Sequence, residues 1–282
     1  MMLRKRNLNV QTEEPEKGLI KSKSNSNAAG QGLKKRTSNQ KAGDLEKKSH
    51  KKPEVITVEP DVENIDPAPE VDYDKETEQD MTAVALYAKD IFRYYKHREG
   101  FFKVHNYLPK QPNVDKGTRA TLVDWLVEVQ ETFELNHETL YLAVKLIDIY
   151  LDRIPKVKKE NLQLIASASV FISSKFDERS PPLIDDFIYI SQDSYDRDEL
   201  LTMEREFLRT VDFDLGAPIS YRFLRRFARV TKIEMSTLTL ARYILETSLM
   251  FLDFCRVSDS LMAAATLLLA LRMKKIGDWV LF

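Results

Sequence analysis

"LQLIASASVFISSK", residues 162–175, and "LMAAATLLLALRMK", residues 261–274, are two runs of small and apolar side chains. Each takes thirteen steps from its first leucine to its first lysine, although the second carries Arg272 on the way. A helix that is apolar on every side belongs at the centre of a bundle and not on its coat. Two such helices predict two bundles. The flanks agree: "RATLVDWLVEVQETF" and "HETLYLAVKLIDIYLD" precede the first run, "YRFLRRFARV" and "STLTLARYILETSLMFLDF" the second. The pattern is an internal duplication of a compact helical bundle. After Lys175 the first copy has 35 residues to Thr210, room for two more helices, while only 8 residues follow Lys274. The second copy is therefore expected to be incomplete, less stable and prone to aggregate, with apolar faces left uncovered.

Periodicity outside these runs is helical from residue 81 onward, and Gly and Pro fall mostly between the periodic stretches. The expected helices are 82–97, 118–134, 138–153, 160–176, 183–190, 197–210, 219–230, 235–252 and 259–275, an all-α fold with no sheet. Before them, residues 1–52 hold 14 Lys/Arg against 5 Asp/Glu, and residues 53–80 hold 1 against 11. No aromatic residue occurs there until Tyr73. Such a leader has too little apolar mass to offset chain entropy. The domains expected are a disordered regulatory tail over 1–80, an N-terminal helix and connector over 81–117, a first bundle over 118–212 and a second, truncated one over 213–282.

Composition excludes several classes. The 282 residues are 43% apolar and 31% charged, a soluble globular balance, and no window approaches the roughly 18 apolar residues of a membrane span. No membrane partner is expected. A lone cysteine, Cys255, excludes a disulfide framework and a multi-cysteine zinc site. Four of the eight glycines lie in the tail, too few elsewhere for a phosphate-cradling loop, and "HETLY" has Tyr141 where a zincin needs its second histidine. No catalytic residue, metal or cofactor is expected, and the chain reads as a non-enzyme. In the tail, Lys34, Lys35 and Arg36 precede Lys47, Lys48, Lys51 and Lys52 at the spacing of a bipartite nuclear import signal, or form a solvated basic tail.

Several polar residues stand where apolar ones are expected. Arg119 points into the stripe Leu122, Leu126, Val129 and Phe133, and the next helix offers Lys145 and Asp148 as its only interior charges. Arg119 is expected to pair with Asp148, since one left alone would cost about 3–5 kcal/mol; the alternative is snorkelling from the helix end. Glu204 interrupts the stripe Leu200, Leu201, Phe207, Leu208 and Val211, and Lys175 closes a helix with no other charge after Asn161. Either the two serve local pairing and the helix end, or they lie on an apolar ledge with Ile172, Phe176, Phe213 and Leu215 that a second protein covers. Trp125 lies about 80° to 100° from the core stripe, flanked by Thr121 and Glu128, so one face of its indole should meet solvent.

"RATLVDWLVEV", "LQLIASASVFISSKFDE", "PPLIDDFIYISQDSY" and "FDLGAP" resemble the cyclin box, and Arg119, Asp148, Leu164, Lys175 and Glu204 match its five signature positions. The resemblance covers about residues 80–275, and "HETLYLAVKLIDIYLD" with "YRFLRRFAR" is most similar to mitotic B-type cyclins, in particular the B-three subgroup. It implies two tandem cyclin boxes and a nuclear regulatory subunit that binds and activates a cyclin-dependent protein kinase in mitosis or meiosis, aligning the kinase's own catalytic groups. It further implies that Lys175 and Glu204 hydrogen-bond kinase backbone, that Ile172, Phe176, Leu208, Phe213 and Leu215 form the apolar seat, and that Tyr87 and Ile91 touch the other kinase lobe. Leu122, Trp125, Glu128, Leu162 and Gln163 correspond to a patch that captures Arg-x-Leu peptides of substrates, with Thr118 and Thr121 in place of the family's Met and Ile. The alternative for Trp125 is shielding alone.

Scheduled destruction through a ubiquitin ligase degron receptor is also implied, by "AGDLEKK" at 42–48, where Asn39 replaces the expected Arg, or by "KEN" at 159–161, which opens a helix. The rival reading is a nucleic-acid-binding or transcription-associated protein of the same doubled fold. Its best support is the stripe Arg222, Arg225, Arg226 and Arg229; a balance of 28 basic to 28 acidic residues over 81–282 speaks against it, and no nucleic acid partner is expected.

Overall fold

The computed structural model describes residues 72–277. Among them are ten α-helices and no strand: α1 (Tyr73–Glu76), α2 (Ala85–Arg98), α3 (Lys116–Thr132), α4 (His137–Arg153), α5 (Leu162–Asp177), α6 (Ile184–Ile190), α7 (Arg197–Thr210), α8 (Ser220–Val230), α9 (Met235–Ser248) and α10 (Asp259–Lys274). The basic clusters of the tail, "AGDLEKK" and the terminal "WVLF" lie outside the described residues.

The opening helices of the two bundles end alike. Both bundles open with a helix that ends through one left-handed residue, Glu134 at φ 51° and Lys232 at φ 50°. In each case the next amide reaches back across the final turn, Leu135 N to Gln130 O at 2.9 Å and Ile233 N to Ala228 O at 3.2 Å, which satisfies carbonyls the helix end leaves free. In the first bundle α5 packs against α3, α4 and α7. Its small residues let neighbours approach: Ala166, Ser167, Ala168, Ser169, Ser173 and Ser174 have no exposed surface, and Ser169 Oγ donates to Ala143 O at 2.7 Å. In the second bundle α10 packs against α8 and α9, but Leu261, Leu269 and Met273 are exposed, so α10 is central on one side only.

Two differences from the sequence expectation concern boundaries. Residues 72–80 belong to the folded body, not to a disordered tail. Asp72 caps α1, Asp74 receives both terminal nitrogens of Arg226 at 2.5 Å, and Glu76 pairs with Lys232 at 2.5 Å. The acidic segment lacks apolar periodicity and is held by charges about 150 residues away, which no local pattern reveals. The helix expected over 235–252 stops at Ser248, because the Leu249 carbonyl turns to accept from Arg119 Nη1 at 2.6 Å.

The bundles are joined by polar contacts around α2. Glu99 accepts from Ser260 N at 3.0 Å and from Lys96 Nζ at 2.7 Å, and Arg98 pairs with Asp214 at 2.6 Å. Lys145 meets Asp259 at 2.8 Å.

Candidate functional site

Arg119 and Asp148 come together in the core. Arg119 Nε donates to Asp148 Oδ1 at 2.8 Å and Nη2 to Oδ2 at 2.7 Å, a two-pronged geometry that matches the planar fork to the carboxylate. Tyr107 OH donates to the same carboxylate at 2.8 Å. With side chains only 2% and 5% exposed, Arg119 does not snorkel. Burial opposes its charge, yet Asp148 outweighs that and holds the guanidinium pKa above its ordinary value. Burial likewise pushes the Cys255 thiol up to about 12, so this cysteine stays protonated at neutral pH.

Lys175 and Glu204 meet differently. Lys175 Nζ donates to Glu204 Oε1, and its ammonium also sits 3.9 Å from the centroid of Phe171. The lysine side chain is 41% exposed and the glutamate 13%, so the pair lies at the surface with one side open. Of the residues expected beside it, Phe176 is 53% exposed, Leu208 half-buried, and Phe213 66% exposed. Phe213 stands at φ 56° directly after Asp212 at φ 57°. A left-handed conformation costs a bulky residue about 1–2 kcal/mol, and it persists here because Phe213 N bonds to Leu208 O at 2.8 Å and Arg153 holds Asp212 at 2.8 Å. The chain accepts strain to leave an aromatic ring in solvent.

Ile172 requires a correction: it is 2% exposed and belongs to the floor, not to the ledge. It stands one turn before the end of α5, where neighbouring helices still cover the surface that Lys175 and Phe176 escape. Leu215 is half-buried and packs on the core. Tyr87 and Ile91 lie one turn apart on α2, a separate element, Tyr87 exposed and Ile91 half-buried. Phe171 was not singled out from sequence. Its signal was there: it stands four residues before Lys175, the helical spacing that brings a ring under an ammonium.

Trp125 borders a groove of about 610 Å³ with Leu122, Leu162 and Gln163, to which Asp115, Gly117, Thr118, Thr121 and Lys159 contribute. The indole is half-buried. Glu128 is exposed but does not line the groove, and Leu162, only 5% exposed, forms its floor. "KEN" forms an exposed 3-10 turn at Lys159–Asn161 ahead of α5.

The arginine stripe on α8 is mostly engaged within the chain. Arg222 pairs with Asp177 at 2.9 Å, Arg225 with Glu138 at 2.8 Å and Arg226 with Asp74. These partners neutralise much of the charge that a phosphate backbone would need. Among the described residues no group of His, Cys, Asp and Glu is arranged to hold a metal ion, and no helix is long and apolar enough to cross a membrane.

Comparison with known proteins agrees with this architecture. Residues 90–216 match the cyclin N-terminal domain and residues 218–281 the cyclin C-terminal domain. The chain is 56% identical over 209 residues to a G2/mitotic-specific cyclin-B3 of Caenorhabditis elegans, covering 74% of this chain and 54% of that protein. It is 50% identical over 241 residues to the G2/mitotic-specific cyclin-B3 of Gallus gallus, covering 83% of this chain and 60% of that one. The chain thus spans a little over half the length of these two relatives. Among solved structures, a viral cyclin from herpesvirus saimiri superposes with a TM-score of 0.60 at 24% identity, over 67% of this chain and 84% of the other, a likeness of fold. Two family domains laid end to end over most of the described helices leave one assignment: the chain belongs to the cyclin family.

Proposed function

We propose that this chain is a regulatory subunit that binds a cyclin-dependent protein kinase and activates it, with no chemistry of its own. The observation that carries the reading is the Lys175–Glu204 pair, open on one side; the exposed rings of Phe176, next to Lys175 in sequence, and Phe213 are proposed to flank it. An ammonium and a carboxylate that satisfy each other on one side only keep donors and acceptors free for the backbone of a partner. Phe176, Phe213, Leu208 and Leu215 then supply apolar surface, and burying one such side chain completely contributes about 1.5–3 kcal/mol. Ile172 supports the seat from below. Tyr87 and Ile91 on α2 would meet the other kinase lobe, which gives the complex two points of attachment and fixes the kinase's orientation.

The role proposed is control of mitotic or meiotic progression in the nucleus. The likeness to G2/mitotic-specific cyclin-B3 proteins supports the first part, and the basic clusters Lys34–Lys35–Arg36 and Lys47, Lys48, Lys51 and Lys52 support nuclear import. The groove at Trp125 is proposed to receive Arg-x-Leu segments of substrates. Its Thr118 and Thr121 offer less apolar contact than longer side chains would, so this docking is weak. The exposed "KEN" turn and the tail are the candidate segments for a ubiquitin ligase degron receptor.

The test is copurification of the full chain with a cyclin-dependent kinase. Lys175→Ala and Glu204→Ala are expected to release the kinase while melting close to wild type. Retention of the kinase by both variants at the wild-type level overturns the seat.

A further inference from the structure

Of the eleven prolines in the chain, only Pro181 follows a serine or threonine, and it is followed in turn by Pro182. The segment lies between α5 and α6 and has no helical or strand structure. Arg179, Ser180 and Pro181 are exposed. Both ends are extended, Glu178 at φ −86° and ψ 143° and Leu183 at φ −79° and ψ 161°. Between them the two prolines fix their own φ near −65°, and Pro181 also biases Ser180 away from the helical region. The chain bends at Arg179 and Ser180 and then runs through the two prolines to the extended Leu183. Among the described bonds, neither Arg179 N nor Ser180 N has a backbone partner.

The stretch is held firmly at its base. Glu178 accepts from Asn136 N and Nδ2, each at 2.7 Å, and from Thr139 Oγ1 at 2.5 Å, which ties the exit of α5 to the start of α4. At the far end Leu183 N donates to Asp186 Oδ2 at 2.7 Å. An exposed, proline-stiffened segment with anchored ends presents its serine to a protein kinase cleft with little ordering entropy left to lose on binding.

We infer that Ser180 is a phosphoacceptor for a proline-directed serine/threonine kinase. In the transfer, Ser180 Oγ attacks the γ-phosphorus of the kinase-bound nucleoside triphosphate. The bond to the β-phosphate oxygen breaks, nucleoside diphosphate leaves, and the hydroxyl proton passes to a carboxylate of that kinase. The residues beyond the prolines are Leu183, Ile184, Asp185 and Asp186, so recognition runs through Pro181 and not through a downstream base. Phosphoserine carries about −1.5 to −2 charges near neutral pH. Here that charge would stand next to exposed Arg179, close in sequence to Asp177 and Glu178, and five residues past Lys175. A removable dianion thus borders the proposed seat, a relation that rests on the preceding reading. The acceptor assignment itself does not.

The test uses the purified full chain, a mitogen-activated-type kinase unrelated to the proposed partner, and radiolabelled ATP, followed by intact mass and peptide mapping. One phosphoryl group per chain is expected, located at Ser180, with none on Ser180→Ala and a rate at least about tenfold lower on Pro181→Ala. The two substitutions lie in an exposed loop and leave the melting point as it is, which circular dichroism checks. Labelling of Ser180→Ala at the wild-type level overturns the assignment. So does an unlabelled native chain when a synthetic peptide of residues 174–187 is labelled under the same conditions, for the loop would then not be presented.

Discussion

Two ion pairs of this chain have the same chemistry and opposite surroundings. Arg119–Asp148 lies in the core, its carboxylate also taking a bond from Tyr107 and its guanidinium reaching the Leu249 carbonyl of the second bundle. Lys175–Glu204 lies at the surface, its ammonium over one ring and otherwise open. In the first pair every side-chain nitrogen of the arginine and both oxygens of the carboxylate find a partner inside the chain, so it holds structure and offers little to another molecule. The second is satisfied on one side, and what remains is capacity for a partner. Sequence anomaly alone, a charge inside an apolar stripe, does not separate these cases. Saturation does.

The comparison breaks first at the buried pair. Asp148→Ala leaves a guanidinium buried without its counter-charge, and Arg119→Ala leaves the carboxylate; either should cost about 3–5 kcal/mol of stability. Urea unfolding followed by far-ultraviolet circular dichroism measures it. A cost below about 1 kcal/mol would mean that water enters the site, and the contrast with the surface pair would vanish.

Glu99 sharpens the contrast as a mixed case. Its side chain is 7% exposed, whereas its partner Lys96 is 62% exposed. Burial raises its pKa, but the bonds from Lys96 and from Ser260 N and Oγ outweigh that, and the folded-state value lies below the ordinary 4.5. A depressed folded-state pKa contributes stability that is present above pH 4.5 and is lost as pH falls through the folded value. Glu99→Gln should therefore be less stable near neutral pH, by about 1–3 kcal/mol, and should show a shallower loss on acidification. Unfolding at a series of pH values reads both. An unchanged acid slope would show that Glu99 makes no net contribution through its charge.

How much of this was legible depended on where the information sat. The expected bounds of helix α7, 197–210, are those of the structure, where Asp196 and Glu199 form a reciprocal cap at its start. The duplicated central helices were readable because burial on all sides writes itself into composition. Helix α1 was not, because "YDKE" has no apolar face and is fixed by Arg226 and Lys232. The odd charges at 119, 148, 175 and 204 could be picked out, yet the ledge was drawn one turn too deep at Ile172, since helical spacing gives a face but not the point along it where cover ends. Nor could sequence show Phe213 in a left-handed turn, a strain set by Arg153 from another helix. The arginines of α8 formed a regular stripe in sequence, and only the fold supplied Asp177, Glu138 and Asp74 as their partners.

The smallest stability effect is expected at the surface pair, and there the comparison is most exposed to failure. Lys175→Met and Glu204→Gln remove charge while keeping most of the side-chain volume. An ion pair open to solvent gains little over its hydrated parts and is screened by salt, so each change should alter stability by less than about 1 kcal/mol. A double-mutant cycle measures the coupling directly, and Phe171→Leu added to it separates the ring contact, worth about 0.5–1 kcal/mol at such a site. Coupling of several kcal/mol would place this pair with Arg119–Asp148 as a structural device, whatever the exposure of Lys175. Weak coupling together with loss of kinase capture would mean that the two groups are held close by the fold yet matter chiefly to what docks on them.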